Sequence, residues 1–208
     1  MSPRKQEQNE QMRAEALAKI SGAALKVFAE YGYHGATMKQ IAEGTGLSYG
    51  LVYHYFPSKE RIFRHLVDFA LESSMFALNT ALDMPGTAWE KLENLSAILV
   101  KNALTGESSL YFLVMMQAMT QGKSIPGLYD HIEKHFSMYY EKIVPFIMEA
   151  QESGDAAKGD PMGLAAAYFF LVQGLSLLVF QGKGMERKIT PEILANVLRR
   201  GGALKPEQ

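Results

Sequence analysis

The chain predicts an all-α protein, and three observations carry that expectation. Apolar residues recur at helical spacing through most of its length, and no stretch alternates apolar and polar residues as a half-buried strand would. Residues 37–59 read as two short capped helices broken by a Thr-Gly turn. The twenty residues from Pro161 to Phe180 hold no charge, which suits a helix covered on more than one side. Together these predict about nine helices. Residues 1–57 form a three-helix N-terminal head and residues 58–208 a larger helical body.

Residues 1–11 are polar and read as a loose arm, from which Arg4 and Lys5 could reach a groove or a phosphate. The first helix is expected over 11–31, with Leu17, Ile20, Ala24, Val27 and Phe28 as its buried stripe and Gly32 as its stop. Thr37 can cap the second helix, on which Met38, Ile41 and Ala42 share an apolar face. Gly46 suits the left-handed turn that ends a helix, and Leu47 pins that turn. Ser48 can cap the third helix, which Pro57 stops, and Ser58 can cap the fourth.

The fourth helix runs over 58–81 with no internal Gly or Pro, one rod from head to body. Thr87 can cap the fifth, in which Trp89, Leu92, Leu95, Ile98 and Leu99 are periodic. The sixth is expected over 107–121 and the seventh over 128–152, where Pro145 should kink it. The eighth covers 161–181 and the ninth 190–200, with Pro191 at its first position and Arg199 and Arg200 at its end.

Composition narrows the function. Of 208 residues, 48% are hydrophobic and 21% charged, enough to fill a core. There is no cysteine, which removes thiol nucleophiles, disulfides and cysteine metal sites. The first residues lack the apolar core of a signal peptide, so a cytoplasmic address is the expectation. Net charge is −1, but residues 1–65 hold nine Lys/Arg against six Asp/Glu, leaving the remainder acidic. A basic head on an acidic body is the asymmetry of a DNA-binding domain attached to something else.

Two helices joined by a tight turn and braced by a third form a helix-turn-helix, whose second helix enters the major groove of DNA. The exposed face of that helix would carry Ser48, Tyr49, Leu51, Tyr53 and His54, with Val52 and Phe56 turned inward. Gly50 allows close approach, either of DNA or of a neighbouring helix. The absence of Lys and Arg from this helix leaves the base sequence open, and Leu51 offers only apolar contact, for example with a thymine methyl.

The stretch KQIAEGTGLSYGLVYHYFPSKERIF after Thr37, with ALKVFAEYGYHGATM before it, closely resembles the signature of the TetR-type, tetracycline-repressor-like, transcriptional regulators. The resemblance covers about residues 17–63, and Tyr49 and Leu51 depart from the small, polar or basic residues frequent there. It implies contacts with double-stranded DNA by Thr37, Ser48, Tyr49, Gly50, Leu51, Tyr53 and His54, and a phosphate contact by Lys59. For Thr37 and Ser48 the capping role stands beside the DNA role. The resemblance also implies a homodimer on a palindromic operator and a small-molecule effector bound within the body.

The body is rich in methionine and aromatic residues, which suit a poorly specified apolar or amphipathic ligand. Tyr111, Met115, Met119, Phe136, Tyr140 and Phe169 are the candidate wall. Helices eight and nine are the expected dimer seam, through Gly163, Ala167, Phe170, Gly174 and Leu177 or Leu178, with Ile193, Leu194, Val197 and Leu198 on one side of the ninth. His131 and His135 have the i, i+4 spacing of a metal pair, but no third ligand is identifiable, so no metal is expected. No nucleophile elbow, phosphate-cradling Gly loop or defined carboxylate pair occurs, so neither an enzyme nor a cofactor is expected. Two other readings are a helical ligand-binding or interaction protein whose head no longer binds DNA, and a membrane-anchored protein using residues 161–180.

Overall fold

The structure, a computed structural model, describes residues 3–104, 107–182, 184 and 188–199. Among them are nine α-helices: α1 (Pro3–Gly35), α2 (Met38–Thr45), α3 (Tyr49–Tyr55), α4 (Lys59–Leu82), α5 (Ala88–Leu104), α6 (Ser108–Gln121), α7 (Leu128–Glu152), α8 (Pro161–Gln181) and α9 (Pro191–Asn196). A 3₁₀ turn, Gly122–Ser124, links α6 toward α7. The described residues contain no strand, only one isolated bridge between Ala156 and Arg199. The fold is the expected all-α one.

Two expectations at the chain ends need correction. The loose arm is helical from Pro3, eight residues before the expected start of the first helix. No Gly or Pro interrupts residues 4–21, so nothing in the backbone stops the helix from extending. At the other end α9 stops at Asn196, and Arg200 lies outside the described residues.

The chain divides into two compact units. The first takes the chain up to Ala70 together with Leu113–Tyr129, and the second Leu71–Phe112 with the chain from Asp130 onward. Packing therefore groups the start of α4 and the end of α6 with the head.

In the first unit Ile20, Ala24, Phe28, Ile41, Ala42, Val52, Ile62, Phe63 and Leu66 are buried. Gly32 adopts φ 68 and breaks α1, so the helix proper ends at Tyr31. Beyond it the Tyr33 ring packs on Phe28 and Phe63, with centroids 6.3 and 4.8 Å away. A Cβ built on Gly44 would lie 3.2 Å from the Ala23 Cβ, so glycine there permits the close crossing of α1 and α2. Nothing in the sequence pattern marked that position.

In the second unit α5 is central and packs against both α8 and α9. Trp89, Leu92, Leu95, Tyr139, Ile143, Ile147, Tyr168, Leu175, Leu194 and Leu198 share one core. Thr87 caps α5 in a reciprocal box with Glu90, Asp160 caps α8 and Thr190 caps α9. The helix α7 runs through Pro145 as one element. On α9 the expected single stripe is split: Leu194 and Leu198 are buried, whereas Ile193 and Val197 are exposed. The two pairs, each four apart, are offset by one residue, about 100° of helix rotation, so that the Leu pair meets the core while the Ile/Val pair turns outward.

Candidate nucleic-acid interface

The helix-turn-helix is built by local hydrogen bonds that its sequence supplies. The Gln40 amide donates to Thr37 Oγ1 at 3.3 Å, and the Thr37 amide donates to Gln40 Oε1 at 2.9 Å, closing a capping box. The Thr37 hydroxyl proton goes to the same Gln40 oxygen, at 2.7 Å. At the turn Gly46 takes φ 67, and Thr45 Oγ1 donates to the Ala42 carbonyl and accepts from the Leu47 amide. Ser48 Oγ accepts from the Leu51 amide at 3.3 Å. Thr37 and Ser48 are therefore caps here, whatever else they touch.

The helix α3 buries Val52 and leaves Ser48, Tyr49, Gly50, Leu51, Tyr53 and His54 exposed together. A Cβ on Gly50 would meet nothing within 4 Å, so no neighbouring helix of the chain requires glycine at this position. Tyr49 leans back onto α2. Its hydroxyl lies 3.3 Å from Glu43 Oε1 and 3.4 Å from the Lys39 carbonyl oxygen. Partial burial and the neighbouring Glu43 carboxylate push its phenol above the ordinary range. Glu43 also faces Lys39 at 3.9 Å, an exposed pair of little energetic weight. No spacing rule in the sequence pairs Glu43 with Tyr49; only the crossing of α2 and α3 does so.

Lys59 sits at the start of α4. Its ammonium donates to the carbonyls of Tyr33, His34 and Ala36 at 2.9, 3.0 and 2.9 Å, and it lies 5.0 Å from the centre of the Tyr33 ring. A phosphate contact would have to draw Lys59 away from these carbonyls. Two further links escape a reading of the sequence. Gln117 on α6 donates to the Phe28 carbonyl at 2.8 Å. Arg64 donates to Glu60 and to the Pro126 carbonyl.

The candidate effector residues divide between the units. Phe136, Tyr140 and Phe169 meet in the second unit, with the Phe169 ring 5.1 Å from Phe136 and 6.5 Å from Tyr140. Tyr139, buried, joins them 6.0 Å from Phe169. Tyr111 also belongs to this unit and is half-buried; burial, then the Glu107 carboxylate, pushes its phenol up to about 12. Met115 and Met119 belong to the segment that packs with the head. The rings of His131 and His135 lie 5.3 Å apart, and no group of three or more metal-binding side chains occurs among the described residues. The helix α8 is long and apolar enough to cross a membrane by length and composition. It buries Tyr168, Leu175 and Ser176 against its own unit.

Comparison with known proteins agrees with the head. Residues 20–66 match the family model of bacterial regulatory proteins of the tetR family. The HTH-type transcriptional regulator YfiR of Bacillus subtilis is 23% identical over 169 residues, 81% of this chain and 80% of its own length. The HTH-type transcriptional repressor AcnR of Corynebacterium efficiens is 46% identical over 44 residues, 21% of this chain and 23% of its own. Among solved structures, the TetR-family regulator PfmR of Thermus thermophilus superposes with a TM-score of 0.67 at 22% identity, covering 88% of this chain and 98% of that one. A protein of Saccharomonospora viridis solved in complex with choline gives 0.66 at 24%, covering 88% and 92%. At these identities the structures speak for the fold, and the helix-turn-helix match speaks for the kind of protein. Residues 20–66 thus carry the helix-turn-helix of the tetR-family bacterial regulatory proteins, and the chain shares the all-helical fold of solved TetR-family regulators.

Proposed function

We propose that the protein is a cytoplasmic, homodimeric repressor that reads a palindromic operator and leaves it when an apolar or amphipathic small molecule enters the body. Residues 1–57 would serve as the DNA-binding domain and residues 58–208 as the effector-binding and dimerisation domain. The observation that carries the DNA reading is the surface of α3. Tyr49, Leu51 and Tyr53 are 43%, 37% and 47% exposed on a helix of seven residues. Apolar area gathered with Ser48, His54 and the open Gly50 is the surface of a partner site. Ser48, Tyr49, Leu51, Tyr53 and His54 would contact bases or backbone, Gly50 would let the duplex approach, and Thr37 would add a phosphate contact at the start of α2.

Dimerisation would use α8. Gly163, Ala167, Phe170, Leu171, Gly174 and Leu177 are all exposed and recur at three- and four-residue spacing, one face of the helix. Phe170 is 63% exposed, and a Cβ on Gly174 would meet nothing. Small residues between large ones let a second helix come close, so a second copy of α8, flanked by Ile193 of α9 and by Val197 just after it, fits this face as a four-helix seam. A two-fold dimer then reads two half-sites, which supports a palindromic operator.

The effector would lie in the second unit against the aromatic cluster of Phe136, Tyr140 and Phe169, with Tyr111 of the same unit as a further candidate. A choline complex is known for the Saccharomonospora viridis protein, and AcnR is a repressor. These support a ligand and a repressor role without naming this protein's ligand. Repression follows as linkage: an effector preferring the spacing of heads that does not fit DNA shifts the population toward it. The test is selection of duplexes from a random pool by the full-length protein, followed by a thermal-shift screen of apolar, cationic and anionic amphiphiles. Enrichment of a palindrome, and its release by a compound that raises the melting temperature, is the expected result. Enrichment of no sequence would overturn the operator reading.

A further inference from the structure

We propose that Lys59 is a positioning residue for DNA reading: its ammonium binds the backbone carbonyls of the joint between α1 and α2, and so holds the helix-turn-helix at a fixed angle on α4. The inference rests on the head binding DNA, and it assigns Lys59 a role other than phosphate contact.

The helix around Lys59 gives it no local reason to be there. A cation in the first turn of a helix faces the positive end of the macrodipole, which is locally unfavourable. The reason is tertiary. An ammonium has three protons, and all three go to carbonyl oxygens, of Tyr33, His34 and Ala36, at 2.9 to 3.0 Å. Those carbonyls follow the break at Gly32, where the helical ladder ends and carbonyls lose their helical donors. Three carbonyl oxygens converging on one point make a cation favourable there.

The attachment is stiff on both sides. The Tyr33 ring, beneath the ammonium, packs against Phe28 of α1 and Phe63 of α4. Ala36, one of the three acceptors, is buried and directly precedes Thr37, the cap of α2. The direction in which the chain enters α2 is thus tied to the first residue of α4. The turn behind α2 is itself pinned by Thr45, so α3 inherits that direction. A shift of α2 by a fraction of a helical turn would move Tyr49 to His54 off the base edges, while exposed cations still meet phosphates.

The test separates tether from phosphate contact. Full-length wild type, Lys59→Met and Lys59→Arg are titrated with the duplex that the wild type selects from a random pool, and with a shuffled duplex of equal composition, between 50 and 300 mM salt. Arginine is at least as good a phosphate ligand as lysine, but its planar fork does not reproduce a tripod of carbonyls. The tether predicts that both variants lose about tenfold or more on the selected duplex, the scale of a lost charge-assisted hydrogen bond. Affinity for the shuffled duplex and the salt slope stay unchanged. It also predicts faster amide hydrogen exchange at Ala36 to Ile41 in the variants without DNA, at temperatures where both remain folded. A slope reduced by about one on both duplexes for Lys59→Met, with Lys59→Arg equal to wild type, would mean a phosphate contact and overturn the proposal. Unchanged exchange would overturn it as well. If the wild type selected no duplex, the DNA-binding reading would be the one at fault, and the exchange measurement would still decide the tether.

Discussion

The hydroxyl of Tyr168 on α8 lies 2.7 Å from Ser96 Oγ on α5, inside the core of the second unit. Ser96 spends its own proton on the Leu92 carbonyl at 2.9 Å, so Tyr168 is the donor of the pair. This buried chain joins the central helix of the body to the helix whose other face is apolar and exposed. It also explains how an uncharged helix of 21 residues is oriented: Tyr168 and Ser176 face the chain's own core and Phe170 faces away.

Removing one partner of that bond leaves a buried polar atom short of its partner. Tyr168→Phe is expected to lower unfolding free energy by about 1 kcal/mol. Ser96→Ala should cost more, because it leaves the Tyr168 hydroxyl without an acceptor. The double variant should cost less than the sum of the two. Urea denaturation of the four proteins measures the coupling, and strict additivity would deny the bond any energetic role.

Alkaline stability follows from the same region. Burial raises the phenols of Tyr139 and Tyr168 well above their ordinary range, and Tyr111 is raised to about 12. A folded-state pKa above the unfolded value means that the unfolded chain releases its protons first as pH rises. The contribution is therefore fully present below about pH 10 and is lost as pH climbs through the folded values. Melting temperature should be flat from pH 7 to 9 and fall between pH 10 and 12. Tyr139→Phe should make that fall shallower, which a pH series of thermal melts reads directly.

Glycines of the head separate folding from binding. Gly46 adopts φ 67, where a side chain is strained, so Gly46→Ala should cost about 1–2 kcal/mol of stability. Gly50 lies in α3 facing open space, and Gly50→Ala should leave stability unchanged or slightly improved. Its effect should appear instead as weaker binding to the selected duplex. Chemical denaturation paired with DNA titration checks both; a Gly50→Ala protein with wild-type affinity would remove the close-approach role.

Assembly offers a fourth check. Sedimentation at micromolar concentration should show a particle near twice 23.1 kDa. Gly174→Glu, at a position where a side chain meets nothing within the chain, should keep the helical content and give a monomer with weakened DNA binding. A dimer unaffected by that charge would place the seam elsewhere.

Much of the fold was legible in the chain because it is written locally. The caps Thr37, Ser48, Ser58, Thr87 and Thr190 each lie within three residues of the amide they bind, and Gly46 needs only its own backbone freedom. The inward side of α3 follows from Val52 and Phe56 at helical spacing. What the tertiary structure decided lies between elements. Residues 33–36 meet Lys59, Gln117 reaches Phe28, Tyr49 turns to Glu43, and Ser96 finds Tyr168 seventy-two positions away. No period or spacing encodes such pairs, because they depend on the angles at which whole helices cross. The exposed side of α8 was hidden for a related reason: with no charge between Pro161 and Phe180, the sequence carries no polar face to mark which side turns outward. Only the packing of Tyr168 and Leu175 into the body picks it out.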